Sequence, residues 1–154
     1  MALKGNILSK PLTATSQKLQ LLRDAAIQRH QNGELESAEL IYAEILKIDT
    51  NDLMALQLSG LLALQRKQYL KAIVMLSKAL TLRPNNAEIY NNRSTALYEV
   101  CRFEEALQDC TEAISLRPNY PEAHYNRGVI LKSLGHLKDA YDDFSNAVKL
   151  KSDY

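Results

Sequence analysis

The chain has 154 residues, of which 46% are hydrophobic and 24% are charged, and its 19 basic and 18 acidic residues leave a formal net charge of +1. Because basic and acidic residues are interleaved, the sequence lacks the concentrated basic stripe with which proteins bind nucleic acid. No segment approaches the run of about 20 apolar residues that spans a bilayer. We therefore expect a cytoplasmic protein that binds neither nucleic acid nor a membrane.

The sequence repeats itself every 34 residues, in blocks that cover 19–52, 53–86, 87–120 and 121–154. The eighth position of each block is small: Ala26, Gly60, Ser94 and Gly128. The twentieth is always alanine: Ala38, Ala72, Ala106 and Ala140. Arrays with such a period bury their apolar surface between neighbouring repeats rather than in one central core. Residues 1–18 are polar and match no repeat, so we expect a loose leader or a short capping segment there.

Within each block, apolar residues recur at spacings of three and four, and a polar break separates two such runs. This spacing predicts two helices per block. The predicted helices cover 19–32 and 35–48, 54–66 and 69–82, 87–99 and 103–116, and 121–134 and 137–150. Gly33 and Gly135 fall in the breaks, where a helix C-terminus commonly needs a left-handed residue. The small positions predict that paired helices cross near Gly60 and Ala72, and near Gly128 and Ala140.

This arrangement of small and large apolar residues resembles the tetratricopeptide repeat family. The resemblance is clearest within 90–119, at Tyr90, Ser94, Phe103, Ala106, Ala113 and Pro118. It implies an all-α fold, a right-handed α-solenoid of four helix-turn-helix repeats over 19–154. It also implies a binding scaffold, whose concave groove is lined by the first helix of each repeat and holds an extended peptide or partner segment. The partner of such a scaffold is set by a few groove residues and not by the repeat signature.

No residue pattern predicts catalysis, a cofactor or a metal site in this chain. The three histidines, His30, His124 and His136, do not pair with one another at ligand spacing, and we expect His124 to be a core residue rather than a partner of Cys110. Helical rise separates Cys101 from Cys110 by roughly 13 Å, which is too far for a disulfide. Cys110 shares its repeat position with residues that are large and apolar, so we interpret it as a buried filler.

The predicted groove is apolar in repeat two and polar in repeats three and four. The candidate ligand-binding residues are Met54, Leu58, Leu61, Asn92, Thr95, Tyr98, Tyr125 and Asn126. Asn92 and Asn126 occupy the same position in consecutive repeats, and an amide side chain can pair with both polar groups of a peptide unit. We expect these two residues to hold the backbone of a bound segment. The alternative is that both are simply solvated asparagines.

One use of such grooves is the carboxylate clamp of co-chaperones, which residues 90–94 resemble. The clamp also needs lysine and asparagine in the preceding repeat and lysine and arginine in the following one. This chain has Gln57, Leu61, Glu122 and Asn126 in those places. Moving the register one repeat earlier supplies Arg23 but no complete cationic set, so we expect no clamp.

A second use is the asparagine ladder of the arrays that precede protein O-linked sugar transferases. Asn92 and Asn126 match two rungs of this ladder, whereas Asp24 and Leu58 break it. We expect a protein-interaction scaffold without catalysis. The alternative is the N-terminal, substrate-recruiting region of a larger enzyme such as a glycosyltransferase.

The last predicted helix carries more apolar surface than its partner helix can cover. Each repeat of such an array leaves an apolar face for its successor, and the fourth block is complete at Tyr154. The candidate residues for self-association, or for packing against a further repeat, are Tyr141, Phe144 and Val148. We expect either that the native protein continues beyond Tyr154 or that the chain self-associates through repeat four.

Overall fold

The computed structural model describes residues 13–152, and every structural statement below refers to that part of the chain. This part forms eight α-helices and no strand, and it is the predicted α-solenoid of four helical hairpins. The helices are α1 (Ala14–Gln31), α2 (Leu35–Ile48), α3 (Leu53–Gln65), α4 (Tyr69–Leu82), α5 (Ala87–Glu99), α6 (Phe103–Leu116), α7 (Pro121–Ser133) and α8 (Leu137–Ser152).

The predicted start of the first helix at residue 19 was wrong, because residues 14–18 already belong to α1. Thr13 caps this helix, because its Oγ1 accepts a hydrogen bond from the Ser16 backbone N–H at 3.2 Å. Lys18 then pairs with Glu44 of α2, with 2.8 Å between Nζ and Oε1. The first turn of α1 is thus stabilised by polar contacts and lies before the first apolar residue of the repeat. The spacing of apolar residues therefore did not predict this turn. The rest of the predicted leader, 1–12, lies outside the described residues.

The turn inside each hairpin uses a left-handed residue at the same repeat position. The φ angle is 77° at Gly33 and 83° at Gly135, as predicted for these two glycines. The equivalent residues of repeats two and three are Lys67 and Cys101, which adopt φ angles of 57° and 60° without being glycine. The hairpin geometry therefore imposes this conformation even where the side chain disfavours it.

The two helices of a hairpin meet where a small residue lies beneath a large one. A Cβ atom added to Gly60 would lie 2.6 Å from Leu76 Cγ, and one added to Gly128 would lie 2.8 Å from Phe144 Cε1. The side chains that fill the space above the glycines are thus Leu76 and Phe144, each one helical turn after the alanine of the predicted crossing. Ala72 and Ala140 are buried as well.

In repeat three, Ser94 and Cys110 form the equivalent pair. The Cys110 thiol donates a hydrogen bond to Ser94 Oγ at 3.1 Å, and burial raises its pKa to about 12. Both residues are completely buried. The interpretation of Cys110 as a buried filler is confirmed, and neither cysteine forms a disulfide.

Repeats three and four each hold a partly buried Arg–Asp pair between their two helices. Arg93 donates to Asp109 through Nε and Nη2, both at 2.7 Å. Arg127 donates to Asp143 through the same two atoms, at 2.6 and 2.8 Å. His124 Nδ1 lies 2.8 Å from Asp143 Oδ1, so this histidine is the predicted core residue and is engaged with Asp143.

The first helices lie on the inner side of the array. Each helix packs against its neighbour in the chain, and α5 also packs against both α3 and α7. Contact between successive first helices places them on the shorter, concave side. No described helix is long and apolar enough to cross a membrane.

Candidate functional site

A cleft of about 210 Å³ opens on the concave side between α5 and α7. It is lined by Ser94, Thr95, Tyr98, Glu99, Tyr125, Asn126, Val129 and Ile130. Four of these residues, Thr95, Tyr98, Tyr125 and Asn126, were predicted as groove residues. The structure therefore brings four of the five predicted residues of repeats three and four together, whereas Asn92 does not line this cleft.

Two tyrosines form the walls of this cleft, and each ring is fixed by neighbouring groups. The Tyr98 ring packs at a tilt on Phe103, with 5.5 Å between the ring centroids, and its hydroxyl lies 3.2 Å from Ser133 Oγ. The Tyr125 ring packs in the same way on Phe144, at 5.6 Å, but remains exposed. The cleft therefore presents aromatic surface that needs little ordering when a ligand binds.

Asn92 and Asn126 share a repeat position but differ in their contacts. Asn126 Nδ2 donates to Asn91 Oδ1 at 2.9 Å and lies 3.4 Å from Thr95 Oγ1. The Asn92 side chain is half-buried and makes no hydrogen bond to another described residue. The amino group of Asn126 is thus engaged within the array, whereas the whole amide of Asn92 is available to a ligand.

The predicted apolar strip of repeat two lies partly against the core. Met54, Leu58 and Leu61 are all half-buried. Met54 and Leu58 pack against the core cluster that α1, α2 and α3 form around Ala26. Part of the apolar surface at this end of the groove is therefore buried against the core.

A second, wider cavity of about 570 Å³ continues from the cleft toward the C-terminal end of the array. Its lining residues are Tyr98, Tyr125, Val129, Lys132, Ser133, Phe144 and Val148. Tyr98, Tyr125 and Val129 line both cavities. The predicted groove and the predicted end face thus form one continuous surface.

Sequence reasoning did not select Val129 and Glu99 as site residues. Val129 occupies the ninth repeat position, which it shares with Leu61 and Thr95, so the repeat register alone could have identified it. Glu99 ends α5 and offers no comparable signal.

Two arginines, Arg23 and Arg117, are engaged in ion pairs. Arg23 binds Asp52 with 2.5 Å between Nη2 and Oδ2, and Arg117 binds Glu88 at 3.0 Å. Asp52 is buried and also caps α3 by accepting from the Ala55 N–H at 2.8 Å. Arg23 is therefore held within the array.

Comparisons with known proteins agree with this architecture. A model described as "TPR repeat" matches residues 60–100 and 102–135, and one described as "Tetratricopeptide repeat" matches 121–154. MamA of Desulfovibrio magneticus RS-1 superimposes with a TM-score of 0.82 at 22% identity, over 91% of this chain and 80% of that one. This likeness shows the fold alone.

Two further proteins match only in part of their length. An O-GlcNAc transferase of Thermobaculum terrenum superimposes with a TM-score of 0.71 at 26% identity, over 79% of this chain and 23% of the enzyme. The mitochondrial Outer envelope protein 64 of Arabidopsis thaliana is 36% identical over 80 residues, which are 52% of this chain and 11% of that protein. Together, the helical hairpins and the matched repeats show that the chain belongs to the tetratricopeptide repeat family.

Proposed function

We propose that this protein is an interaction scaffold that binds an extended segment of a partner protein in its concave groove. Members of this repeat architecture expose long concave surfaces suited to such ligands. The observation that carries the proposal is the tyrosine-walled cleft between α5 and α7. Asn92 lies on α5, three residues before Thr95 of the cleft lining. The cleft takes an apolar side chain of the segment while Asn92 pairs with its backbone. The side-chain oxygen of Asn126 acts as a further hydrogen-bond acceptor for the bound segment.

The charges around the cleft favour a neutral or basic segment. Glu99 lines the cleft and Glu122 is exposed at the start of α7. Lys132 lies in the wider cavity toward the end of the array. Because the Glu99 carboxylate lines the cleft, an acidic segment is repelled there, whereas Glu122 is paired with Lys151. We further propose that this chain itself has no catalytic activity and that its location is cytoplasmic.

Selection from a displayed library of random peptides tests the proposal. We expect the wild-type protein to enrich peptides with an apolar anchor, and Asn92→Ala and Tyr125→Ala to bind them at least about fivefold more weakly, which corresponds to roughly 1 kcal/mol for a lost hydrogen bond or aromatic contact. Asn85→Ala is the matched control, because Asn85 is an exposed asparagine in the loop before α5. Peptides that bind all four proteins equally would contradict groove binding.

The second candidate function is substrate recruitment within a larger enzyme. It is favoured by the likeness to the Thermobaculum terrenum O-GlcNAc transferase, since the matched part is 23% of that chain. Sequencing the native gene past the codon for Tyr154 tests this candidate. A reading frame that continues into a catalytic domain supports it, and a stop codon there contradicts it.

A further inference from the structure

The acidic and basic residues of α5 and α7 fall into two groups. Glu99 and Lys132 are exposed and form no ion pair with another described residue. They are also the two that line the cleft or the wider cavity. The other four on these helices are all in ion pairs: Glu88 with Arg117, Arg93 with Asp109, Glu122 with Lys151, and Arg127 with Asp143. The charges of these two helices that lack an ion-pair partner are therefore both at the candidate site.

The surroundings of Glu99 leave its negative charge uncompensated. Its neighbour on α4 is the Tyr69 hydroxyl, and burial together with the Glu99 carboxylate raises the pKa of that tyrosine. A neutral hydroxyl interacts with a carboxylate without cancelling its charge. The adjoining first helix, α3, has no charged residue between Leu53 and Gln65. Glu99 therefore presents its charge to a group that enters the cleft.

The two charges flank the aromatic part of the site. Glu99 lines only the cleft and Lys132 lines only the wider cavity, whereas Tyr98, Tyr125 and Val129 line both. No other residue given by the described part of the chain to the lining of these two cavities is charged. The site therefore has a negative group, an apolar stretch and a positive group in that order. Tyr141, predicted for the end face, is 71% exposed and lines neither cavity.

We propose that the groove binds a segment in which one basic and one acidic residue flank an apolar residue. This inference rests on the function proposed above and names the class of segment. In the complex the apolar side chain contacts Tyr98 and Tyr125, the basic side chain reaches Glu99, and the acidic side chain reaches Lys132. A segment whose two flanking residues have the same charge is repelled at one end. Because both charged groups of the site are exposed, they contribute more to specificity than to affinity.

Single charge reversals in the protein and in a peptide from the random library test this inference. We expect the wild-type protein to enrich peptides with one basic and one acidic residue on opposite sides of an apolar anchor. Glu99→Lys should weaken such a peptide by at least about threefold, and replacing the basic residue of the peptide by glutamate should restore binding to this variant. Lys132→Glu should weaken the original peptide by a similar factor, and replacing its acidic residue by lysine should restore binding. Fluorescence anisotropy measures each affinity.

Two reversals away from the groove are the matched controls. Glu104 on α6 and Lys78 on α4 are exposed residues of second helices. Glu104→Lys and Lys78→Glu change the net charge as the test variants do, but should leave the affinity for the peptide unchanged. Glu99→Gln replaces Glu99→Lys if circular dichroism shows that the latter variant does not fold. It removes the charge, keeps a side-chain oxygen beside Tyr69 and should still weaken the peptide.

The outcomes separate this inference from the proposed function. Peptides that depend on Asn92 and Tyr125 but bind Glu99→Lys and Lys132→Glu as tightly as wild type would overturn the charge pattern and leave groove binding intact. Weakening that the exchanged peptides do not restore, or equal weakening by the two control reversals, would also overturn it. A library that yields no peptide dependent on Asn92 or Tyr125 would contradict the proposed function and this inference together.

Discussion

Asn126 donates a hydrogen bond from Nδ2 to Asn91 Oδ1 at 2.9 Å, and this bond joins α7 to α5 beside the cleft. Asn91 is only 6% exposed, so water has little access to its side chain if the bond is lost. Asn92 and Asn126 share the repeat position that the sequence predicts to contact a ligand. In repeat four, the residue at this position also stabilises the interface between repeats. Stability and binding can therefore be separated by comparing Asn92 with Asn126.

Asn126→Ala should lower the free energy of unfolding by about 1–2 kcal/mol, because it leaves the buried Asn91 side chain without its donor. Asn92→Ala should change the same free energy by less than about 0.5 kcal/mol, since the Asn92 side chain has no such contact. Urea denaturation followed by circular dichroism measures both values. Equal losses for the two variants would show that the Asn91–Asn126 bond does not stabilise the interface.

Gly60→Val should destabilise the protein by roughly 1–3 kcal/mol through overpacking against Leu76. The Cβ atom alone would come within 2.6 Å of Leu76 Cγ. Ala106→Leu should have a similar effect, because Ala106 is completely buried. Gln65→Val, at an exposed position of the same helix, is the control for the cost of valine in α3.

The coupling between Gly60 and Leu76 can be measured directly. In a Leu76→Ala background the Cγ atom is absent, so Gly60→Ala should cost less than in the wild-type protein. A melting temperature of Gly60→Val equal to that of wild type would mean that the two helices do not meet at this glycine.

Lys67→Gly and Cys101→Gly should each stabilise the fold by about 0.5–1 kcal/mol. Both residues hold positive φ angles that cost L-amino acids energy and that glycine adopts freely. Part of this gain is offset because glycine also makes the unfolded chain more flexible. Gln68→Gly is the control, because Gln68 has a φ angle of −88°. This substitution should destabilise the fold or leave its stability unchanged. A loss of stability in both Lys67→Gly and Cys101→Gly would contradict this explanation.

The repeat period predicted most of the fold because small and large residues pack at the same positions in each repeat. Seven helices begin within one residue of their predicted starts, and Gly33 and Gly135 are left-handed as expected. The start of α1 was missed because its first turns carry polar residues that contact Glu44 and cap the helix rather than fill a core. Apolar spacing contains no information about such contacts.

The sequence predicted the candidate site less completely than it predicted the fold. The repeat register identified which positions face the groove, so Thr95, Tyr98, Tyr125 and Asn126 could be named. It could not tell that Asn126 bonds to Asn91, because that contact depends on the distance between two helices in different repeats.

Stability should depend on pH through Asp143. Burial raises the pKa of this carboxyl group, but hydrogen bonds from Arg127 and His124 outweigh burial and hold the pKa below its ordinary value. Since the folded-state pKa is the lower one, the contribution of Asp143 to stability is complete above the unfolded-state pKa of about 3.9. It is lost as the pH falls through the folded-state pKa.

Asp143→Asn removes this contribution at all pH values. The difference in unfolding free energy between wild type and Asp143→Asn should therefore shrink as the pH is lowered from about 7 to about 3. Asp142→Asn is the control, because Asp142 is exposed on the same helix. A difference that stays constant over this range would show that Asp143 does not titrate as a paired carboxylate.

Hydrogen exchange of the protein with and without a peptide selected from the random library tests groove binding most directly. We expect the peptide to slow exchange of backbone amides in α5 and α7, whose residues line the cleft, and to leave α2 and α4 unchanged. The same protection should be weaker in Asn92→Ala at equal peptide concentration. Protection confined to the second helices, with α5 and α7 unaffected, would contradict the assignment of the concave groove as the binding site.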